Sequence, residues 1–201
     1  ILRGIYRAAG LSAIADAPEL SNRALGISGG SRIGRKTPLT LEEFQSIQEK
    51  AKSMRRPGIA AMLKLALVFG LRHFEALMAN VETLKRWLIE VEIDGAIVVA
   101  RGTKGGRSRR VIVTNSVDAI DAISTAIAIA DKQGGYLVTQ HDGRPARDLR
   151  QARSIARNWC SRNGITPHAL RYGFAQRRFL ELLAKGVSKR EALALVSVDL
   201  G

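Results

Sequence analysis

Cysteine is almost absent from this sequence, whose 201 residues include only Cys160. A single thiol cannot form an internal disulfide, so packing alone must hold the fold, as is usual in a reducing compartment. We expect Cys160 to fill space in the core. Aromatic residues are also scarce, at 5%. With no RNP-like aromatic strand in addition, a basic RNA-binding protein that stacks bases is a weak alternative.

Long hydrophobic runs are lacking as well. The longest, from Ile59 to Leu71, is interrupted by Lys64 and is too short to cross a bilayer. The sequence opens with no signal peptide and carries no basic amphipathic helix or lipidation signal. We therefore expect a cytoplasmic protein without a membrane partner.

Acidic residues are the minority charge, with 18 Asp and Glu against 32 Lys and Arg and a net charge of +14. Such an excess repels itself in the folded state, and phosphates that neutralise it release their counterions. A polyanion is therefore the expected partner.

Clusters of metal-binding residues are missing too. The histidines His73, His141 and His168 are scattered, and neither a carboxylate cluster nor a cysteine pair accompanies them. We expect no metal and no other cofactor.

Two domains are indicated by a change in composition. The chain opens within a helical segment, Ile1 to Ala9, and residues Gly26 to Pro38 are rich in glycine and basic side chains, as in a linker. We place a boundary near residue 36. Residues 1–35 then form the end of one helical domain with its linker, and residues 36–201 form a second domain.

The second domain is predicted to be mainly α-helical with a small three-stranded antiparallel sheet. Thr40 and Glu43 have the spacing of a capping box, and Gly70 is placed to end a buried helix that begins after Pro57. The predicted helices span 40–54, 59–69, 71 onward, 117–132, 148–163, 167–185 and 188–198. The predicted strands span 87–93, 96–100 and 109–113, with a turn at Asp94-Gly95 between the first two.

One candidate anion site lies in the segment Thr166-Pro-His-Ala-Leu-Arg171. Thr166 can cap a helix that starts at Pro167, and His168 and Arg171 lie three residues apart on its first turn. Free backbone N–H groups, a guanidinium and an imidazole together suit a phosphate. An ordinary capped helix with a surface arginine and a half-buried histidine is the alternative.

A second candidate is Arg72, which follows the helix-ending Gly70, with Glu75 one turn later. An ion pair from Glu75 would orient Arg72 as a preorganised phosphate clamp. A common surface salt bridge between residues three apart is the alternative reading.

A third candidate is the hairpin tip Gly102-Thr-Lys-Gly-Gly-Arg-Ser-Arg-Arg110. Its glycines allow close approach to a DNA strand, and Lys104 could enter a groove or give up a proton. A solvated turn is the alternative. The basic residues expected to contact DNA are Arg35, Lys36, Arg107, Arg109 and Arg110.

These three segments occur in one order, and together they resemble the tyrosine recombinase, or phage integrase, family. FGLRHFEAL is similar to the family's first arginine motif, the hairpin with Lys104 to its β2–β3 lysine, and HALRYGFAQRRF to its His-x-x-Arg motif. The resemblance covers about residues 36–201 and favours the branch carried by mobile elements, which are bacterial or phage-encoded. It implies that residues 1–35 end the helical core-binding domain.

The resemblance also implies the roles of the site residues. Arg72 and Arg171 would clamp the scissile phosphate, His168 would assist proton transfer, and Lys104 would protonate the leaving 5′ oxygen. In the family a Leu-Gly pair is followed by His or Trp and then by the nucleophilic tyrosine, whereas this sequence stops at Leu200-Gly201. We expect the nucleophile to be missing, since Tyr6, Tyr136 and Tyr172 do not match its position.

The leading interpretation is a site-specific recombinase that cuts and rejoins double-stranded DNA through a 3′-phosphotyrosine. A DNA-binding module of the same fold without chemistry is the alternative. The resemblance implies that the full-length protein oligomerises on DNA, while these 201 residues should be monomeric and inactive in strand cleavage.

Overall fold

The computed structural model describes residues 10–20 and 38–201, apart from the side chains at positions 15, 20 and 104. The chain divides into two compact units, Ile1–Lys36 and Thr37–Gly201. In the first, the described residues form helix α1 (Ser12–Ala15) and a 3-10 turn, Pro18–Leu20. The helix expected at residues 1–9 and residues 26–37 of the expected linker lie outside the described part.

The second unit is built mainly of helices. In chain order its elements are α2 (Leu41–Ser53), α3 (Pro57–Phe69), α4 (His73–Leu77), α5 (Val81–Asp94), β1 (Ala96–Val99), β2 (Arg109–Ile112), α6 (Ser116–Lys132), α7 (Leu149–Arg162), α8 (Pro167–Ala184) and α9 (Lys189–Leu200).

Local capping signals set several of these boundaries. The Thr40 hydroxyl accepts from the Glu43 main-chain N–H at 3.2 Å, and the Glu43 carboxylate accepts from the Thr40 N–H at 2.8 Å, which confirms the predicted capping box. Gly70 ends α3 at φ 60°, in the left-handed region that favours glycine. A Cβ there would lie 2.5 Å from a ring carbon of Phe174, so the close approach of α8 also requires glycine.

The sheet prediction was wrong in one strand. Within the described residues the sheet has two strands, and the segment expected to be the first strand lies inside α5. Asn80 caps α5 by accepting from the Thr83 N–H at 3.0 Å, and Gly95 is its left-handed C-cap rather than a hairpin turn. The buried residues Leu84, Trp87 and Val91 repeat at three and four, the helical period, so apolar packing selected the helix.

Strands β1 and β2 form an antiparallel hairpin in which Ala96 pairs with Ile112 and Val99 pairs with Arg109. The connection includes a 3-10 turn, Lys104–Gly106. A Cβ on Gly102 would meet the main-chain oxygen of Phe74 at 3.0 Å, so the base of the hairpin lies directly against α4.

The core is centred on α3, which packs against α2, α4, α6 and α8. It is apolar nearly all round, as the sequence predicted, with Leu65 and Phe69 fully buried. The Phe69 ring lies 6.1 Å from that of Trp87 on α5, and Cys160 is buried in the same cluster. Across the described ranges, no helix combines the length and apolar character needed to span a bilayer.

Candidate active site

The start of α4 positions Arg72 and Glu75. The Glu75 Oε2 accepts from the Arg72 main-chain N–H at 2.6 Å, and Oε1 accepts from Arg72 Nη1 at 2.8 Å. Glu75 is 1% exposed, so this carboxylate is held inside the protein. Gly70 permits the arrangement, because its left-handed conformation turns the chain sharply between α3 and α4.

Arg109 of β2 brings a second guanidinium to the same carboxylate. Its Nη1 and Nη2 donate to Glu75 Oε1 and Oε2 at 2.5 and 2.6 Å, and its side chain is 7% exposed. Burial alone would raise the pKa of Glu75, but hydrogen bonds from Arg109 and Arg72 outweigh burial and hold it below the ordinary value. Arg109 was expected at the exposed hairpin tip, yet it lies in the interior beside Arg72.

Arg171 enters from the first turns of α8. Its Nη1 donates to the Gly70 carbonyl at 2.8 Å, and its Nη2 donates to the Leu200 carbonyl. Burial, together with the cations Arg72 and Arg109, lowers the pKa of Arg171 to about 10, so the guanidinium stays charged at neutral pH. We call Arg72, Arg109 and Arg171 the arginine cluster.

The C-terminal end of α9 meets the arginine cluster. The carbonyl of Asp199 accepts from Arg109 Nε at 3.0 Å, that of Leu200 from Arg171, and that of Gly201 from Arg72 Nη2 at 2.5 Å. The last carbonyls of a helix have no intrahelical donor and carry partial negative charge. The cluster therefore forms a site for several oxygen atoms of negative character.

A buried ion pair anchors this end of α9. Arg178 Nε lies 3.0 Å from Asp199 Oδ2, and the two side chains are 9% and 6% exposed. Sequence reasoning missed this pair, because 21 residues separate its members and no local spacing indicates their contact. Its burial fixes the carbonyl groups that face the cluster.

His168 lies on the first turn of α8 and is exposed. Its ring stacks on Tyr172 one turn later, with centroids 6.3 Å apart and planes 27° apart. Pro167 occupies the first helical position as predicted, but Thr166, at the N-cap, makes no capping hydrogen bond with its side chain. Arg171 is buried, so the two residues of the His-x-x-Arg motif differ sharply in exposure.

A cleft connects His168 to Arg72. It has a volume of about 370 Å³ and is lined by Leu71, Arg72, His73, Arg153, Arg157, Pro167 and His168. We call it the basic cleft, because none of its lining residues is acidic.

The remaining predicted residues are spread over the hairpin and the linker. Arg107 and Arg110 are exposed, and Arg110 donates to the Asp94 carbonyl at 3.1 Å. Lys104 has its main chain in the 3-10 turn, but its side chain lies outside the described part. Arg35 and Lys36 also lie outside the described residues.

Fold and site together define a class: a basic, mainly helical domain with an arginine cluster oriented by a buried carboxylate. A family model described as Integrase matches residues 26–177, about three quarters of the chain. The chain therefore belongs to the integrase, or tyrosine recombinase, family, and this membership implies DNA binding. A search of curated proteins and a search of solved structures each found no match.

Proposed function

We propose that the second unit is the catalytic domain of a site-specific DNA recombinase and that its arginine cluster binds the scissile phosphate. The observation that carries this proposal is the convergence of Arg72, Arg109 and Arg171 on one set of oxygen acceptors. Glu75 offsets only one of the three charges. A phosphodiester carries one negative charge and offers two free oxygens, which guanidinium groups match in geometry.

The positions of Arg72 and Arg171 support these roles. Arg72 has 26% of its side chain exposed and lines the basic cleft, so a phosphate can reach it from solvent. Arg171 approaches the site from the protein interior, and a hydrogen bond to the Gly70 carbonyl orients its guanidinium. Charge that develops on the phosphate oxygens in the pentavalent transition state is stabilised by donors that are already oriented.

The proposed reaction conserves the phosphodiester bond energy. A tyrosine hydroxyl attacks phosphorus, forms the 3′-phosphotyrosine bond and breaks the bond to the 5′ oxygen. The phenolic proton is lost with help from His168, and Lys104 donates a proton to the 5′ oxygen. The Lys104 turn follows Gly102, which packs against α4 close to Glu75, and this contact supports the role.

We infer the preceding domain, the location and the assembly state of the protein from its family. The first unit would be the end of a core-binding domain, the full-length protein would assemble on DNA in the cytoplasm, and these 201 residues would be monomeric. We infer that none of Tyr6, Tyr136 and Tyr172 is the nucleophilic tyrosine.

A DNA-binding module without chemistry is the second candidate. The observation that favours it is that each arginine of the cluster already donates to a carbonyl at the end of α9. In that case the cluster would stabilise the fold, and surface cations alone would bind DNA.

Binding of a short duplex, followed by fluorescence anisotropy, distinguishes the two. For a phosphate clamp, Arg72→Ala weakens binding by at least roughly tenfold, since a charged hydrogen bond is worth about 1.5–3 kcal/mol and about 1.4 kcal/mol is a factor of ten. Arg72→Lys restores only part of the loss, because an ammonium lacks the guanidinium fork. Arg190→Ala is the control: Arg190 is exposed at the opposite end of α9. Equal affinities for Arg72→Ala and Arg190→Ala, both folded by circular dichroism, would contradict the clamp.

A further inference from the structure

The basic cleft holds more positive charge than one phosphate requires. Beyond Arg72 and His168, its walls include Arg153 and Arg157 from α7 and His73 from α4. Like charges one helical turn apart repel each other, so Arg153 and Arg157 destabilise an empty cleft slightly. An anion between them would reverse the sign of that interaction.

Arg153 and Arg157 are both exposed, and no carboxylate lies within ion-pair distance of either in the ranges that the structure describes. Other surface arginines differ, since Arg86 pairs with Glu90 and Arg144 with Asp142.

The Arg153 guanidinium lies 5.5 Å from the centroid of the Phe74 ring. This cation–π contact holds the group at the cleft wall without neutralising it.

His73 supplies an independent observation. Its Nε2 is buried and has no hydrogen-bond partner among the described residues. Buried polar atoms are normally paired, so an unpaired one at a cleft wall indicates a group that acts when a ligand is present. Burial, followed by the charges of Arg153 and Arg157, lowers the pKa of His73, which disfavours the protonated ring in the free protein.

We propose that Arg153 and Arg157 form a second phosphate subsite, which binds a backbone phosphate neighbouring the scissile one, and that His73 gains a proton when it fills. This inference rests on the proposed function, because Arg72 belongs both to the arginine cluster and to the basic cleft. A DNA strand that places one phosphate at Arg72 continues along the cleft towards α7. Its phosphate offsets the two arginine charges that disfavour a protonated His73.

Other charged groups at the cleft do not account for the expected rise in the pKa of His73. Glu75 is on the same helix as His73, but its two oxygens are bound by Arg72 and Arg109. His168 lines the cleft from α8 and stacks on Tyr172. The change in the pKa of His73 when the subsite is filled therefore comes from the anion itself.

Nuclear magnetic resonance of the histidine rings in the 201-residue protein tests the proposal. We expect the pKa of His73 to rise when a short duplex is added. In the double variant Arg153→Ala/Arg157→Ala, the pKa of free His73 starts higher and duplex no longer moves it. The slope of log affinity against log salt becomes shallower by about 0.9, since the double variant loses one phosphate contact.

Arg162→Ala is the matched control. Arg162 is an exposed arginine on α7 and is not among the residues that line the cleft. Five residues after Arg157, it points about 140° away around the helix. We expect this variant to keep the His73 response of the parent.

Four outcomes would overturn the proposal, and they separate its failure from that of the proposed function. If the parent binds duplex but His73 does not respond, or the double variant keeps the full salt slope, the subsite is wrong and DNA binding stands. If inorganic phosphate shifts His73 and duplex does not, the cleft binds a free anion instead of DNA. If the parent binds no duplex at all, the proposed function itself fails.

Discussion

Arg109 donates from both terminal nitrogens to the two carboxylate oxygens of Glu75, at 2.5 and 2.6 Å. Arg109 lies on β2 and Glu75 lies on α4, so this bidentate pair ties the hairpin to the helix that carries Arg72. The two side chains are 7% and 0% exposed. The pair therefore holds the arginine cluster in place from the protein interior.

Replacing this carboxylate should strongly destabilise the protein. Glu75→Gln leaves Arg109 buried without its counter-charge, and breaking a buried pair costs about 3–5 kcal/mol. Urea unfolding at neutral pH measures the loss. Glu49→Gln is the control, because Glu49 pairs with Lys52 on an exposed face, where such pairs contribute at most about 1 kcal/mol. Similar losses in both variants would contradict the assigned role of Glu75.

The same variant should have a characteristic pH dependence. Arg109 and Arg72 hold the pKa of folded Glu75 below its ordinary value of 4.5. Its contribution is therefore present above 4.5 and is lost as pH falls through the lower folded pKa. The stability difference between parent and Glu75→Gln should be constant at neutral and mildly acidic pH and shrink in stronger acid. A constant difference throughout would show that Glu75 does not titrate as inferred.

Gly102 and Gly105 offer a matched pair in one hairpin, because both have φ 75°. Alanine at either position strains the backbone by roughly 1–2 kcal/mol. A Cβ on Gly102 would also lie 3.0 Å from the Phe74 oxygen, whereas a Cβ on Gly105 meets nothing within 4 Å. Gly102→Ala should therefore lower the free energy of unfolding more than Gly105→Ala. Equal losses would mean that the hairpin does not press on α4.

The salt dependence of DNA binding should show whether the hairpin tip contacts phosphates. Arg107 and Arg110 are exposed, so Arg107→Ala/Arg110→Ala should make the slope of log affinity against log salt shallower by about 2. Arg109 is left intact, since its removal would break the pair with Glu75. Affinity measured across a salt series with a short duplex gives the slope. An unchanged slope would place the phosphate contacts elsewhere.

Cys160 should be chemically inert in the folded protein. Burial raises the pKa of its thiol to about 11, so almost no thiolate exists at mildly alkaline pH. A thiol reagent such as 5,5′-dithiobis(2-nitrobenzoic acid) should react slowly with native protein and fast in urea. Fast labelling of the native protein would show that the core around α7 opens readily.

The 201 residues should form no covalent adduct with DNA. A nucleophile must lie about 3 Å from phosphorus in line with the leaving oxygen. The ring of Tyr172 is stacked on His168, and Tyr136 lines a different pocket, with Leu77 and Val138. A suicide duplex pool with randomised sequence, analysed by mass spectrometry, checks this. An adduct mapped to a tyrosine of this chain would show that the nucleophile is present after all.

Several features were determined by the sequence alone. Capping at Thr40, the left-handed turn at Gly70 and the apolar surface of α3 are local properties, because propensity, capping and helical period act over a few residues. The order of Arg72, Lys104, His168 and Arg171 along the chain likewise indicates the family to which the chain belongs.

Tertiary packing decided the rest. Residues 87–93 contain alternating apolar residues that suit a strand, but burial of Trp87 and Val91 against the core made them part of α5. The sequence around Arg109 indicates a surface cation, but the ion pair with Glu75, 34 residues away, holds its side chain in the protein interior. Contacts between such distant residues depend on how the elements pack, and no short-range pattern encodes that. The arginine cluster and the buried pair Arg178–Asp199 therefore depend on how the helices assemble, as does the His73 Nε2, which has no hydrogen-bond partner in the described part of the chain.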